Sequence, residues 1–169
     1  MRSRVGGKTY VDRPEMDIAR RMAMSQLGNG LTGAGHHEDA MFVQEAELSM
    51  QRRLGSSGVS MLALQSNIAN TYQAIGRSKE ALQMRRDVYL GCLKLKGDES
   101  IDTVRAACNY AAGLSECNRF EETKALLRTT MPVARRVLGG THPMSLAIGV
   151  SLRLSQAKLG ARETPSVSS

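Results

Sequence analysis

The sequence carries three glycines, Gly55, Gly97 and Gly139, that are 42 residues apart, and each follows a run of helix-forming residues. A fixed period of this length is typical of a repeat array, in which one supersecondary unit recurs and packs on its neighbours. Arrays of this kind act mainly through the extended surface that they present. The period therefore favours a binding protein over an enzyme.

A shift of the sequence by 42 residues also aligns side chains between the glycines. Asn67 falls on Asn109, and three sets of apolar residues fall into columns. The columns contain Phe42, Met84 and Leu126; Met50, Cys92 and Ala134; and Leu62, Val104 and Leu146. Because one helix pair cannot bury its apolar face alone, we interpret the columns as positions at which stacked copies share a core.

The composition favours helices over strands. Aromatic residues make up only 4% of the chain and tryptophan is absent, whereas strands are enriched in aromatic and β-branched residues. Alanine, leucine, methionine, arginine, glutamate and lysine, which favour helices, are frequent. We predict an all-α fold whose short connections make neighbouring helices antiparallel hairpins. The predicted helices are at about 37–54, 60–75, 78–96, 101–117, 120–138 and 143–159.

Segments of different character flank the predicted array, which we place at 34–160. Residues 1–33 are interpreted as a basic tail, one helix and a glycine-rich loop that is flexible over 28–35. Asp12 is suited to cap this first helix and Gly28 to end it. Residues 161–169 are rich in serine and are predicted to be a disordered tail.

Residues 67–82 resemble a tetratricopeptide repeat in the aromatic residue Tyr72, the turn residue Gly76 and the small residue Ala81. The 42-residue period resembles the kinesin-light-chain type of this repeat, and so does the sequence Leu-Gly-Gly-Thr-His-Pro at 138–143.

This resemblance extends over about 34–160 and has three implications. The implied fold is a short right-handed α-solenoid of stacked helix hairpins. It holds two full repeats, at 60–97 and 101–139, with a half repeat on either side. The implied function is that of a scaffold or adaptor for other proteins.

The resemblance also implies a binding groove, since the first helix of each pair lines the concave side of such arrays. It assigns Asn67 and Asn109 to that groove, where an amide can pair with both the N–H and the C=O of an extended peptide. Asn70, Arg105 and Ser151 are predicted to line the same groove, with Arg105 facing an acidic residue of the partner. The alternative is that the two asparagines bond only to neighbouring helices.

No arrangement of residues suited to catalysis occurs in the sequence. Cys92, Cys108 and Cys117 have no metal-binding spacing and no paired base, which indicates core packing. The adjacent His36 and His37 point in different directions on a helix and have no third ligand at a fitting spacing. We therefore predict a protein without enzymatic activity, cofactor or metal. The odd number of unpatterned cysteines favours a reducing, cytoplasmic setting.

The net charge of +7 fits an acidic protein partner, nucleic acid or an anionic surface. We predict a protein partner and no membrane partner, and nucleic acid is disfavoured because few aromatic residues are present to stack on bases. No apolar run is long enough to span a membrane. The third repeat ends after one helix and leaves an apolar face, including Leu146 and Leu154, without a second helix. The alternative function is therefore a self-associating assembly module.

Overall fold

The computed structural model describes residues 14–55 and 58–163, and within them the chain forms seven α-helices and no strand. The helices are α1 (Pro14–Gly33), α2 (His37–Arg53), α3 (Gly58–Ala74), α4 (Ser78–Lys96), α5 (Ile101–Glu116), α6 (Phe120–Leu138) and α7 (Pro143–Glu163). Each helix packs mainly on the helices before and after it in the chain. The predicted all-α solenoid of helix pairs is thus confirmed.

A left-handed residue ends the first helix of each full repeat. Gly76 has a φ of 79° and Asn118 has a φ of 57°. The next residue closes the turn: the N–H of Arg77 donates to the carbonyl of Tyr72 at 2.8 Å, and the same bond recurs one repeat later. Such bonds satisfy carbonyls that a helix end leaves free. Asn118 can replace glycine because asparagine tolerates the left-handed conformation.

The buried apolar side chains form three clusters along the array. The first joins α2, α3 and α4, the second joins α5, α6 and α7, and the third joins α3, α4 and α5. The first contains Leu48, Leu64, Ile68, Tyr72 and Ala81; the second Val104, Ala111, Leu127, Ala134 and Ile148; the third Val88, Cys92 and Ala106. The third cluster packs one full repeat against the other and lies beneath the candidate site.

The prediction of a flexible glycine-rich loop at 28–35 is wrong, because α1 continues through Gly28 to Gly33. This helix packs on α2 much as the other first helices pack on their second helices. A Cβ at Gly28 would lie 3.0 Å from the Cγ of Gln44. The missing side chain therefore lets the two helices approach, and that contact outweighs the low helix propensity of glycine.

A buried polar layer holds the first hairpin against α3. Glu47 accepts hydrogen bonds from Ser25 of α1 and, at 2.9 Å, from the Nε2 of Gln51. The Oε1 of Gln44 accepts from Thr71 of α3 at 2.8 Å. Buried polar groups are stable when they are hydrogen-bonded, so these bonds help to fix the position of α2 between its neighbours.

The ends of the chain fit the predictions only in part. Helix α7 extends to Glu163, so the residues at 161–163, which were predicted to be disordered, are helical. The basic tail at 1–11, the cap at Asp12 and the segment 164–169 lie outside the described residues. The division of the chain at residues 34 and 160 stays a prediction.

Candidate functional site

A groove runs between α3 and α5, with α4 as its floor, and we call it the α3–α5 groove. It encloses about 450 Å³ and is lined by side chains of these three helices. This volume lies within the range of pockets that bind small ligands or side chains. The groove therefore lies where the two full repeats meet, between their first helices.

The floor of the groove is apolar. Leu62, Val88, Cys92 and Ala106 line it, and all four belong to the cluster that joins the repeats. A Cβ at Gly91 would lie 2.5 Å from a methyl carbon of Leu62. The glycine thus allows Leu62 to lie against α4, which gives the groove an apolar surface suited to aliphatic side chains of a partner.

Two asparagines stand on the rim of the groove, one from each first helix. Asn67 on α3 and Asn109 on α5 are both exposed and both line the cavity. The Nδ2 of Asn67 donates to the Oδ1 of Asn29 on α1 at 3.1 Å. Asn109 makes no side-chain hydrogen bond to any other described residue. The amide of Asn67 is therefore partly used within the chain, whereas the amide of Asn109 is available to bond a ligand.

Asn29 extends this row of amides onto α1, although the repeat period does not predict it. Asn29 and Asn67 are 38 residues apart rather than 42, so a shift by the repeat period does not align them. The repeat period places residue 25 of α1 opposite Asn67. Asn29 lies four residues, or about one helical turn, after that position, so a search for amides within one turn of the register would have identified it.

The charges at the groove are partly paired. Asp102 accepts from both Lys96 and Arg105 at the rim, which leaves the groove lining with a net charge of +1. Arg105, which was predicted to face an acidic residue of a partner, is thus already bonded to a carboxylate of its own helix. Its side chain is still 58% exposed, and a guanidinium carries five donors.

Two of the five predicted groove residues do not line this cavity. Asn70 is exposed on α3 but does not line the cavity, and neither does Ser151 on α7. The backbone carbonyl of Ser151 accepts from Ser155 at 2.8 Å. The structure therefore brings together Asn67, Arg105 and Asn109.

The cysteines nearest the groove are poorly suited to covalent chemistry. Burial raises the pKa of Cys108 from its ordinary value of 9.0 to about 11. Burial also raises the pKa of Cys92, although Lys96 and Arg105 act in the opposite direction. Because the thiolate is the nucleophilic form, both side chains behave as small apolar groups near neutral pH.

No group of three or more histidine, cysteine, aspartate or glutamate side chains that could hold a metal occurs within 14–55 and 58–163. None of the helices in these ranges is both long and apolar enough to cross a membrane.

Comparisons with known proteins agree with this fold. The family model of the tetratricopeptide repeat matches residues 103–143. The TPR-like repeats of a kinesin light chain from Podosopora anserina superpose with a TM-score of 0.72 at 21% identity, covering 89% of this chain and 70% of that chain. BtubC (BKLC) from P. vanneervenii superposes with a TM-score of 0.64 at 14% identity, covering 85% of this chain and 63% of that chain. A search of curated protein sequences gives no match.

The segment that comprises α5 and α6 is therefore a tetratricopeptide repeat, and the described chain has the fold of a tetratricopeptide-like α-solenoid. More particularly, this fold is similar to that of the kinesin-light-chain TPR-like repeats, in agreement with the resemblance of the 42-residue period. Folds of this class generally serve as interaction modules rather than enzymes.

Proposed function

We propose that the protein is an adaptor that binds an extended peptide segment of a partner protein in the α3–α5 groove. The observation that carries the proposal is the placement of Asn67 and Asn109 on opposite walls of one apolar-floored cavity. Asparagines at one repeat period can grip a peptide backbone without depending on its side chains.

Selectivity would come from the floor and from the charges at the rim. Aliphatic side chains of the peptide fit against Leu62, Val88 and Ala106. Lys96 and Arg105 outnumber Asp102, so an acidic residue in the peptide is favoured over a basic one. Exposed charge pairs contribute about 0.2–1 kcal/mol each, so this preference is modest and weakens with salt.

The proposal is tested with peptides selected from a displayed library for binding to the wild-type protein. Their affinity for an Asn67→Ala, Asn109→Ala double variant is then measured by fluorescence anisotropy. We expect a loss on the order of tenfold per asparagine, since each amide loses at least one hydrogen bond to the ligand.

A matched control uses Asn70→Ala together with Ser151→Ala, two predicted groove residues that do not line the cavity. This control should bind the peptides as the wild type does, and circular dichroism should show the same helicity in all variants. Equal binding by the two double variants would contradict the proposed role of the asparagines.

A second candidate function is self-association through α7. Val104 is 1% exposed beneath α6, whereas Leu146, one period later, is 56% exposed. Val150 and Leu154 follow at four-residue spacing and are also exposed, so α7 presents an uncovered apolar face within the described residues. At the opposite end, α1 exposes Ile18 and other apolar side chains.

We infer that a second copy of the chain is the occupant of this face, stacked head to tail so that α1 meets α7. Such head-to-tail contacts build assemblies of more than two copies, either closed rings or open filaments. Light scattering should then show a mass that rises with concentration, and Val150→Glu should abolish this rise whereas the exposed control Gln156→Glu should not. A strictly monomeric wild type at high concentration would contradict this second candidate.

A further inference from the structure

A second groove lies on a different face of α4. Helices α4 and α6 both pack on α5, but within the described residues they do not pack on each other. This leaves a trough between them, which we call the α4–α6 groove, with α5 at its base. Two cavities open along it, of about 370 Å³ and about 150 Å³.

The larger cavity is basic. Lys79 and Arg86 on α4 and Arg119 at the start of α6 line it, together with one acidic side chain, Glu122. The Nε and Nη2 of Arg119 each donate to Glu122 at 2.6 Å, so these two charges satisfy each other. Lys79 and Arg86 are exposed and form no salt bridge with another described residue. The cavity thus has two available cations and a net charge of +2.

The smaller cavity has an apolar part formed by all three helices. Leu93 of α4, Val104 and Ala107 of α5 and Val133 of α6 contribute to it, and the rest of the lining includes the polar residues Asp98, Thr103, Thr129 and Thr130. It can therefore accept a small aliphatic side chain, whose transfer from water is favourable.

A pair of tyrosines forms the wall between the two cavities. Tyr110 lines the basic cavity and Tyr89 lines the smaller one, and their rings stack with centroids 6.1 Å apart at an angle of 21°. The two cavities are therefore neighbouring compartments of one groove.

The distance between the compartments suits an extended peptide. On α4, the residues that line the basic cavity lie between 79 and 86, and those that line the smaller cavity are 89 and 93. The midpoints of the two sets are eight to nine residues apart, which is roughly 13 Å along the helix axis at about 1.5 Å per residue. An extended chain covers that distance in about four residues, at about 3.3 Å each.

We propose that the α4–α6 groove is a second docking site, which binds a peptide carrying a phosphorylated side chain in the basic cavity and an aliphatic side chain about four residues away. The charge of the site carries the choice of ligand, because a phosphorylated side chain brings close to two negative charges and three acceptor oxygens, whereas a carboxylate brings one charge. Lys79 and Arg86 are placed to donate to the phosphoryl oxygens.

The test uses fluorescein-labelled peptides with phosphoserine and leucine four residues apart in a glycine–serine background, in both orders. We expect one order to bind saturably to the full chain, more weakly as salt rises. Lys79→Gln and Arg86→Gln should each lower the affinity roughly tenfold. Lys94→Gln, which removes the same charge from an exposed position of α4 outside both cavities, should leave it unchanged, and so should the Asn67→Ala, Asn109→Ala double variant.

The proposal would be overturned if neither peptide order bound, or if a peptide with glutamate in place of phosphoserine bound equally well. It would also be overturned if inorganic phosphate displaced the peptide with an affinity equal to that of the peptide, or if the double asparagine variant lost binding. The last result would place the peptide in the α3–α5 groove. Because the two grooves have different lining residues and different variants, either proposal can fail without the other.

Discussion

Replacement of Gly76 by alanine tests the turn that sets the repeat geometry. Gly76 has a φ of 79°, a conformation that costs an ordinary residue roughly 1–2 kcal/mol. A Cβ at this position would meet no atom within 4 Å. The expected loss of stability therefore comes from backbone strain alone, without any clash.

The magnitude can be bracketed with two further variants. Gly140→Ala also places its Cβ in open space but has no positive φ, so its stability should change by less than about 0.5 kcal/mol. Gly76→Asn should cost less than Gly76→Ala, because Asn118 already occupies the corresponding turn at a φ of 57°. At about 2–4 °C per kcal/mol for a chain of this size, Gly76→Ala should lower the Tm by roughly 2–8 °C.

The assay is urea unfolding followed by circular dichroism, with thermal melts as a second measure. The order expected for the free energy of unfolding is wild type, then Gly76→Asn, then Gly76→Ala, with Gly140→Ala near the wild type. Gly76→Ala as stable as Gly140→Ala would refute the argument that the left-handed turn constrains residue 76.

Three further predictions concern the core, the groove and the thiols. Ile148→Ala should destabilise the protein by about 2–5 kcal/mol in urea unfolding, because Ile148 is buried among α5 and α6 residues; a cost below about 1 kcal/mol would mean that α7 is loosely attached. Asp102→Asn raises the net charge of the α3–α5 groove from +1 to +2, so acidic peptides should bind a few-fold more tightly with a steeper salt dependence, and unchanged titrations would contradict the proposed charge preference. Because burial raises the pKa of Cys108 from 9.0 to about 11, the unfolded chain loses this proton first and stability should fall as pH rises above about 9. Iodoacetamide should alkylate Cys108 at pH 8 much faster in urea than in the folded protein, and equal rates would contradict its burial.

The helices of the array were largely predictable because their signals are local. The starts at Ser78, Ile101, Phe120 and Pro143 lie where apolar periodicity and turn residues placed them. The end of α1 was not predictable in this way, because glycine commonly ends a helix. The local sequence does not show that a neighbouring helix packs closely against the glycine. Only the contact with Gln44 shows that Gly28 serves packing.

The repeat period and helical spacing predicted part of the lining of the candidate site. Asn67 and Asn109 were identified by a shift of 42 residues, and the structure places both on one groove. Ser151 fits the same register but lies on α7, beyond the helices that form the cavity. The pairing of Arg105 with Asp102 lies within α5 at a spacing of three residues, so helical spacing alone could have indicated it. The α4–α6 groove depends on side chains from three helices, which sequence spacing does not bring together.

The location of the bound peptide tests the central claim most directly. Methyl-labelled protein is titrated with a library-selected peptide, and the shifts of leucine, valine and alanine signals are followed by NMR. We expect the signals of Leu62, Val88 and Ala106 to shift together while those of the exposed Leu146 and Val150 of α7 do not. Shifts at Leu146 and Val150 with no change in the α3–α5 groove would contradict the proposed function and favour binding through α7.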